Sequence, residues 1–369
     1  MRVAHLTSVH PRDDVRIFRK QCRTLASAGY HTTLVVADGK GDQEVDRVQV
    51  IDVGVSGSGR LRRMMATTQL VYKRACLLDA DLYHLHDPEL LPVGLKLKAQ
   101  GRRVIFDAHE DFPADIMTKP YLKRGLRKVI AGSFSIFENY ACKKMDFVVT
   151  ATPTIRSKFE RSGCRAVDIN NYPLLEELSE YLSWDERRKH VCYVGAMTSI
   201  RGVPQLVDAM ALTSEEVRLA LVGNFTEKET GRRCRESAGW SKVDDHGFVG
   251  RSEVRRVMEN SAAGVVTFLP APNHIDSQPN KMFEYMSAGI PVVGSDFPLW
   301  RSIIEGNECG LCVDPTKPQD VAQAIDRLCR DQEAGQAMGK RGREAVLARY
   351  NWDSEGRKLV ELYKSILGH

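Results

Sequence analysis

Short runs of apolar residues, four or five long, alternate with amphipathic stretches from one end of this chain to the other. Val3–Thr7, Thr33–Ala37, Leu82–His86, Arg103–Asp107 and Phe147–Thr150 read as strands, and residues 14–28 as a helix closing at Gly29. Strands without polar alternation are covered on both faces, which makes the sheet parallel and the connections helical. The pattern restarts after Asn170-Asn-Tyr-Pro173 and a polar stretch through Lys189. His190–Val194, Arg218–Val222, Gly264–Phe268 and Pro291–Gly294 follow as strands. A length of 369 residues is long for one core. The expected fold class is therefore α/β, with two doubly wound, Rossmann-like domains facing across a cleft. Residues 1–172 form the first domain, 173–188 a linker and 188–349 the second domain. Residues 350–369 form a final helix, apolar at Leu359, Leu362, Tyr363 and Ile366, that can pack back toward the first domain. Ligands of such sheets sit outside the carboxyl ends of the strands.

The net charge of +5 is unevenly spread. Residues 1–172 hold 28 Lys+Arg against 19 Asp+Glu and the remainder 25 against 29, a net of +9 beside −4. A basic first half suggests that it meets something anionic, with solubilising charge as the plainer explanation. The excess is modest and no recognition motif accompanies it, so a nucleic-acid partner is not expected. Nine cysteines without a framework spacing fit a reducing cytosol. Met1-Arg-Val-Ala-His is a strand-like start rather than a leader, and no run approaches the roughly 18 apolar residues of a membrane span. These features give a cytoplasmic reading. Gly-x-Gly-x-x-Gly after the first strand and the Walker pattern are both missing, which removes the main support for dehydrogenase and P-loop readings.

The chemistry concentrates in residues 276–291, Asp-Ser-Gln-Pro-Asn-Lys-Met-Phe-Glu-Tyr-Met-Ser-Ala-Gly-Ile-Pro. Asp276 and Glu284 bracket a Pro279-Asn280-Lys281 turn that reads as a helix start. A helix start presents unpaired N–H groups and the positive end of a dipole, suited to phosphate. Carboxylates suit hydroxyl groups, and together the two describe a sugar-nucleotide site. From spacing alone, Arg201 is equally a solvated loop arginine, and Lys281 an exposed first-turn lysine.

Several elements resemble the retaining glycosyltransferases of family 4, which have the GT-B fold. Asp276-x7-Glu284 resembles their acidic E-x7-E signature. Val194-Gly195 with Arg201-Gly202, Leu221-Val-Gly223, Gly247-Phe-Val-Gly250 and Gly310–Pro315 resemble successive elements of the second domain. His84-x-His86-Asp87-Pro88 and Asp107-Ala-His109-Glu110 resemble motifs of the first. The resemblance runs in order along nearly the whole chain. Two departures stand out: the leading acid is an aspartate, and Ala196 occupies a position where the family often has an arginine after the glycine. His10–Arg16 also replaces the glycine-rich loop common after the first strand.

The resemblance implies roles. Arg201 and Lys281, with Gly195 and Asn280, would hold the diphosphate. Glu284 would accept from the ribose hydroxyls, Asp276 from those of the donor sugar, and Phe248 would lie beside the base. His109 would stabilise the charge developed in transfer, making His109, Asp276 and Arg201 the catalytic candidates. No covalent nucleophile and no cofactor are implied. His84, His86, Asp87, Asp107 and His109 invite a metal reading, but the family uses protein cations at the diphosphate, so no metal site is expected. Cys309 and Cys312 read as core cysteines.

The activity implied is transfer of a sugar from a UDP- or GDP-sugar to a glycan or lipid-linked saccharide, in surface polysaccharide or glycolipid assembly. A sugar-nucleotide epimerase and a non-catalytic sugar-nucleotide-binding subunit remain the alternatives. Lys119–Lys128, followed by Val129, Ile130, Phe134, Ile136 and Phe137, reads equally as a core helix with a solvated face or as a peripheral contact with an anionic membrane. The second reading would place the protein at the inner face of the cytoplasmic membrane.

Overall fold

The computed structural model describes residues 1–54, 60–118, 124–175, 184 and 190–368. Most of the expected linker, and Lys119–Lys123 of the basic stretch, lie outside the described residues. The chain divides into two compact units, Met1–Asn171 with Trp352–His369, and Tyr172–Asn351.

The first unit holds an eight-stranded sheet in the order β3-β4-β2-β1-β5-β6-β7-β8. Its strands are β1 Arg2–Leu6, β2 His31–Val36, β3 Gln43–Val45, β4 Val48–Asp52, β5 Leu82–Leu85, β6 Arg103–Ala108, β7 Phe147–Thr150 and β8 Ala166–Asp168. All neighbours pair in parallel except β3, which runs antiparallel to β4. The apolar strands are buried on both faces, as continuous Val/Leu/Ile runs require. Leu6, Val35, Leu85, Phe106 and Val148 pack into one core cluster, Leu34, Val36 and Val50 with Ile17 into another. β3, β4 and β8, near or at the sheet edges, escaped the sequence reading. Each is short or carries polar residues, and edge strands bury too little to need an apolar run.

The first helix departs from its expectation. It begins as a widened π-type segment, Val15–Cys22, before tightening to α over Arg23–Ser27. Asp14 caps it, its Oδ1 accepting from the Ile17 N–H at 2.8 Å. Arg16, Lys20 and Gln21 are all buried in this segment. π-type turns are rare and frequently lie at functional sites.

The final helix, Trp352–Leu367, belongs to the first unit. Trp352 Nε1 donates to Thr24 Oγ1 at 2.8 Å, and buried Glu355 accepts from the Asn170 N–H at 2.7 Å. Leu359, Leu362 and Tyr363 are buried.

The second unit has six parallel strands: β9 His190–Val194, β10 Arg218–Val222, β11 Val243–Gly247, β12 Ala263–Val266, β13 Val292–Ser295 and β14 Gly310–Val313. Their order is β11-β10-β9-β12-β13-β14, so the chain reverses direction across the sheet between β9 and β12. In the first unit the same reversal falls between β1 and β5. Side chains at the carboxyl ends of those strands are the ones a doubly wound sheet offers to a ligand.

Candidate functional site

In the second unit β9 ends at Val194, and the chain turns through Gly195 at φ +122°, a left-handed conformation that glycine tolerates. The turn is tight: a Cβ on Gly223, at the end of β10, would lie 2.1 Å from the Gly195 carbonyl oxygen. Beside this turn lies the Lys281 side chain, from the first turn of the helix Asn280–Ser287. Its Nζ would be 3.2 Å from a Cβ on Gly195, so a side chain there would press the amine aside. Nζ stands 3.7 Å from the centroid of Tyr193 and 5.4 Å from that of Phe268. Arg201 covers the same Phe268 ring at 5.6 Å, and its Nη1 donates to the Ala196 carbonyl at 3.2 Å.

The electrostatics of this group are unbalanced. Lys281 is buried, and its Nζ has no hydrogen-bond partner among the described residues. Burial, then the Arg201 charge, hold the amine well below its ordinary pKa, and Glu284 one turn later opposes them. Two basic side chains over one aromatic ring, one of them buried without a hydrogen-bond partner among the described residues, cost free energy that ring contacts only partly offset. An anion placed against them removes that cost. Pro279 stands at the head of the helix with no side-chain cap, leaving backbone N–H groups for the same anion.

The other expected residues are placed less centrally. Glu284 is half-buried, while Asn280 is exposed at the helix start. Asp276 is exposed and follows a short helix, Pro272–Ile275, rather than lying on the helix of Glu284. Phe248 is 81% exposed in the loop after β11. The structure thus groups Gly195, Arg201 and Lys281, with Glu284 near them, and leaves Asp276, Asn280 and Phe248 at the surface. Sequence reasoning missed Tyr193, Phe268 and His274. Phe268 packs against the His274 ring at 4.8 Å, and burial lowers the His274 pKa. An aromatic in a strand pattern reads as core, so no signal marked these residues.

The first unit carries its own polar cluster at the β1/β5 reversal. Asp107, on β6, is buried and accepts from Arg16 Nε at 3.1 Å, Arg16 Nη2 at 2.8 Å and Gln21 Nε2 at 2.6 Å. Burial alone would raise the Asp107 pKa, but Arg16 and His109 hold it well below the usual carboxylate range. His109 Nε2 is 3.4 Å from Asp107 Oδ2 and 3.2 Å from His86 Nδ1. Asp87 accepts from Thr7 Oγ1 at 2.8 Å and the Ser8 N–H at 2.6 Å. His10 bridges Asp87 and Asp14, at 3.3 Å each. His5, which the sequence reading passed over, completes a buried group with His84 and His86.

Ring nitrogens of His5, His84 and His86, and those of His86 and His109 with an Asp107 oxygen, lie close enough to hold a metal ion, within 4.8 Å. The His84 and His86 rings stack at 4.7 Å and the His5 and His86 rings at 5.1 Å. The nearby carboxylate, Asp107, is already neutralised by Arg16. The same residues form a hydrogen-bonded network. Cys309 is buried, Cys312 partly so, and both are free thiols.

Comparison with known proteins gives concordant matches. The family of glycosyl transferases group 1 matches residues 176–345, and the glycosyl transferase 4-like domain matches residues 15–173. An uncharacterized glycosyltransferase of Methanocaldococcus jannaschii is 25% identical over 198 residues, 50% of either chain. A GDP-mannose-dependent phosphatidylinositol monomannoside mannosyltransferase of Mycobacterium tuberculosis is 27% identical over 197 residues, 51% of this chain and 50% of that one. Both matches span about half the length of these curated relatives. The phosphatidyl-myo-inositol mannosyltransferase of Mycolicibacterium smegmatis is 23% identical over 355 residues, 93% of this chain and 85% of that one.

Among solved structures, the sucrose-phosphate synthase of Thermosynechococcus elongatus superposes with a TM-score of 0.80 at 18% identity, covering 100% of this chain and 99% of that one. The Anabaena protein HepE, solved with UDP, gives 0.75 at 15% identity over 99% and 100%. At such identities the likeness is one of fold. Family and fold agree with the α/β architecture described above: the chain belongs to the family-4 type of glycosyltransferases and has the GT-B fold.

Proposed function

We propose that this protein is a retaining glycosyltransferase that takes a sugar from a nucleoside-diphosphate donor, with the diphosphate held by Arg201 and Lys281 over Gly195. The observation that carries the reading is the buried Lys281 Nζ, without a hydrogen-bond partner among the described residues, beside a second basic side chain. Loss of the nucleotide leaves negative charge on the departing phosphate, and fixed cations aimed at that charge are the largest expected contribution to catalysis. Arg201 adds a planar fork suited to phosphate oxygens. These protein cations take the place of a metal at the diphosphate. Glu284 accepts from ribose hydroxyls, Asp276 from hydroxyls of the donor sugar, Asn280 assists at the helix start, and Phe248 flanks the base. His109 stabilises developing charge.

The relatives support this reading in their own terms: one is named as GDP-mannose-dependent, and HepE was solved with UDP and with UDP-glucose. An inositol lipid or lipid-linked saccharide is the acceptor class that the mannosyltransferase relatives favour. No helix among the described residues is long and apolar enough to cross a membrane. The helix Arg124–Cys142 turns Val129 (65% exposed) and Ile136 (75%) outward beside Lys128, which supports peripheral contact with an anionic leaflet.

The test is calorimetric titration with UDP and GDP, with and without EDTA, followed by product analysis with a donor sugar and candidate acceptors. Expected are nucleotide binding that survives EDTA, transfer only when acceptor is present, and a product keeping the donor's anomeric configuration. Sugar conversion without acceptor would identify an epimerase, and binding without turnover a non-catalytic subunit. Failure to sediment with anionic vesicles at low salt would end the membrane proposal.

A further inference from the structure

The buried imidazoles of the first unit form a chain whose contacts can be followed atom by atom. His109 Nε2 lies 3.2 Å from His86 Nδ1, and His86 Nε2 lies 2.8 Å from His5 Nδ1. His5 Nε2 is 3.1 Å from Tyr363 Oη, which is 2.8 Å from His84 Nδ1. His84 Nε2 is buried with no hydrogen-bond partner among the described residues and lies 3.9 Å from Asp107 Oδ2, while His109 Nε2 lies 3.4 Å from the same oxygen. Both ends of the chain therefore lie in the field of one carboxylate, the His84 end without a hydrogen bond.

Proton parity leaves two orders. Burial lowers the pKa of His5, His84 and His86, so each ring carries a single N–H, and burial raises that of Tyr363, which keeps its phenol proton. Oη holds one proton between two imidazole nitrogens, so it donates to one and accepts from the other. Suppose it donates to His84 Nδ1. Then the His84 proton is on Nε2, His5 Nε2–H donates to Oη, His86 Nε2–H donates to His5, and His109 Nε2–H donates to His86. In this order Asp107 Oδ2 faces two N–H groups, of His84 and His109, and one lone pair, on His86 Nδ1 at 3.5 Å. The reverse order moves every proton to the other nitrogen, so the same oxygen faces one N–H and two lone pairs. Arg16 and Gln21 keep Asp107 an ionised acceptor, which makes the first order the more stable.

We propose that Tyr363, His5 and His86 are positioning residues that fix a proton on His109 Nε2, so that in the neutral imidazole the lone pair is on Nδ1 and accepts from a sugar hydroxyl. Which ring nitrogen of a histidine carries the proton is set by the bond its other nitrogen makes, and here that bond is set three side chains away. The tautomer stands on the geometry of the first unit alone. Its bearing on turnover rests on the role given to His109 above.

The experiment uses the full chain with its histidines labelled with 15N. Two-bond proton–nitrogen correlations at neutral pH assign the tautomer of each ring directly. The expected result is Nε2–H at His109, His86, His5 and His84. Tyr363→Phe keeps the ring and removes the link, so His5 and His84 are expected to populate both tautomers, with His109 following. Turnover should then fall about threefold to tenfold at unchanged donor KM, because a mixture of tautomers leaves part of the enzyme competent. Finding His109 as Nδ1–H in the unmodified protein, unchanged tautomers in Tyr363→Phe, or one equivalent of bound metal by elemental analysis would each overturn the proposal. The unmodified spectrum decides the question even if the variant fails to fold. If Tyr363→Phe scrambles the tautomers without touching turnover, the relay stands and the catalytic reading of His109 fails.

Discussion

Lys281→Met is expected to make the free protein more stable and its nucleotide binding weaker. The lysine Nζ is buried without a hydrogen-bond partner among the described residues. Leaving such a group unsatisfied costs about 1–3 kcal/mol. Methionine has similar length and keeps a favourable sulfur–aromatic contact against Tyr193 and Phe268, so removing the amine should recover most of that cost. In a unit of this size, each kcal/mol raises the melting temperature by roughly 2–4 °C. The gain should depend on pH. Burial and Arg201 hold the folded-state pKa of Lys281 below its ordinary 10.5, so the folded protein binds this proton less readily than the unfolded chain. Wild-type stability therefore rises with pH toward 10.5, and the variant's advantage narrows over the same range. Loss of a charged hydrogen bond to diphosphate should cost about 1.5–3 kcal/mol, on the order of a 10- to 150-fold weaker Kd for UDP or GDP. Urea denaturation at several pH values gives the first quantity and calorimetric titration the second. A variant that is less stable than wild type in the absence of nucleotide, yet binds it equally well, would refute the reasoning.

Three further outcomes follow from the geometry. Arg16→Met leaves the buried Asp107 carboxylate without its main counter-charge and should destabilise the protein by about 3–5 kcal/mol in urea denaturation. Gly223→Ala places a methyl 2.1 Å from the Gly195 carbonyl at φ +136°, and should cost on the order of 3 kcal/mol or more and disturb the Lys281 pocket, seen as a lower melting point with weakened nucleotide binding. The His10–Asp14 pair should shape the pH–stability curve. The Asp14 hydrogen bond raises the His10 pKa, so that contribution is complete below about 6.5 and is lost as pH climbs through the raised value. Burial opposes ionisation of Asp14, but His10 and the Ile17 N–H prevail and bring its pKa to about 2, so its contribution disappears only as pH falls toward 2. His10→Asn should flatten the alkaline side of the curve.

Much of this protein could be read along the chain because its information is local. Apolar runs such as Leu219–Val222 and Val148–Thr150 bury both faces, which needs no knowledge of their neighbours, and they sufficed for the α/β class. Gly195 was visible as a strand-ending glycine, and Lys281 and Glu284 as groups at a helix start. What spacing could not supply was the company each side chain keeps. From the chain alone Lys281 is a helix-start lysine, open to a phosphate or to solvent; only packing against Tyr193 and Phe268, 88 and 13 residues earlier in the sequence, makes it a buried amine in want of an anion. The π-turn that carries Arg16 to Asp107, 91 residues later, has no sequence signature, because its cost is met by an ion pair that exists only in the folded unit. The histidine chain is the clearest case. His5, His86 and Tyr363 are scattered over 358 residues: His5 drew no notice, His86 stood in a family-like motif and Tyr363 on an apolar helix face, and nothing in the sequence joined them. A tautomer depends on which hydrogen bonds close, and those bonds exist only once β1, β5 and the final helix have come together.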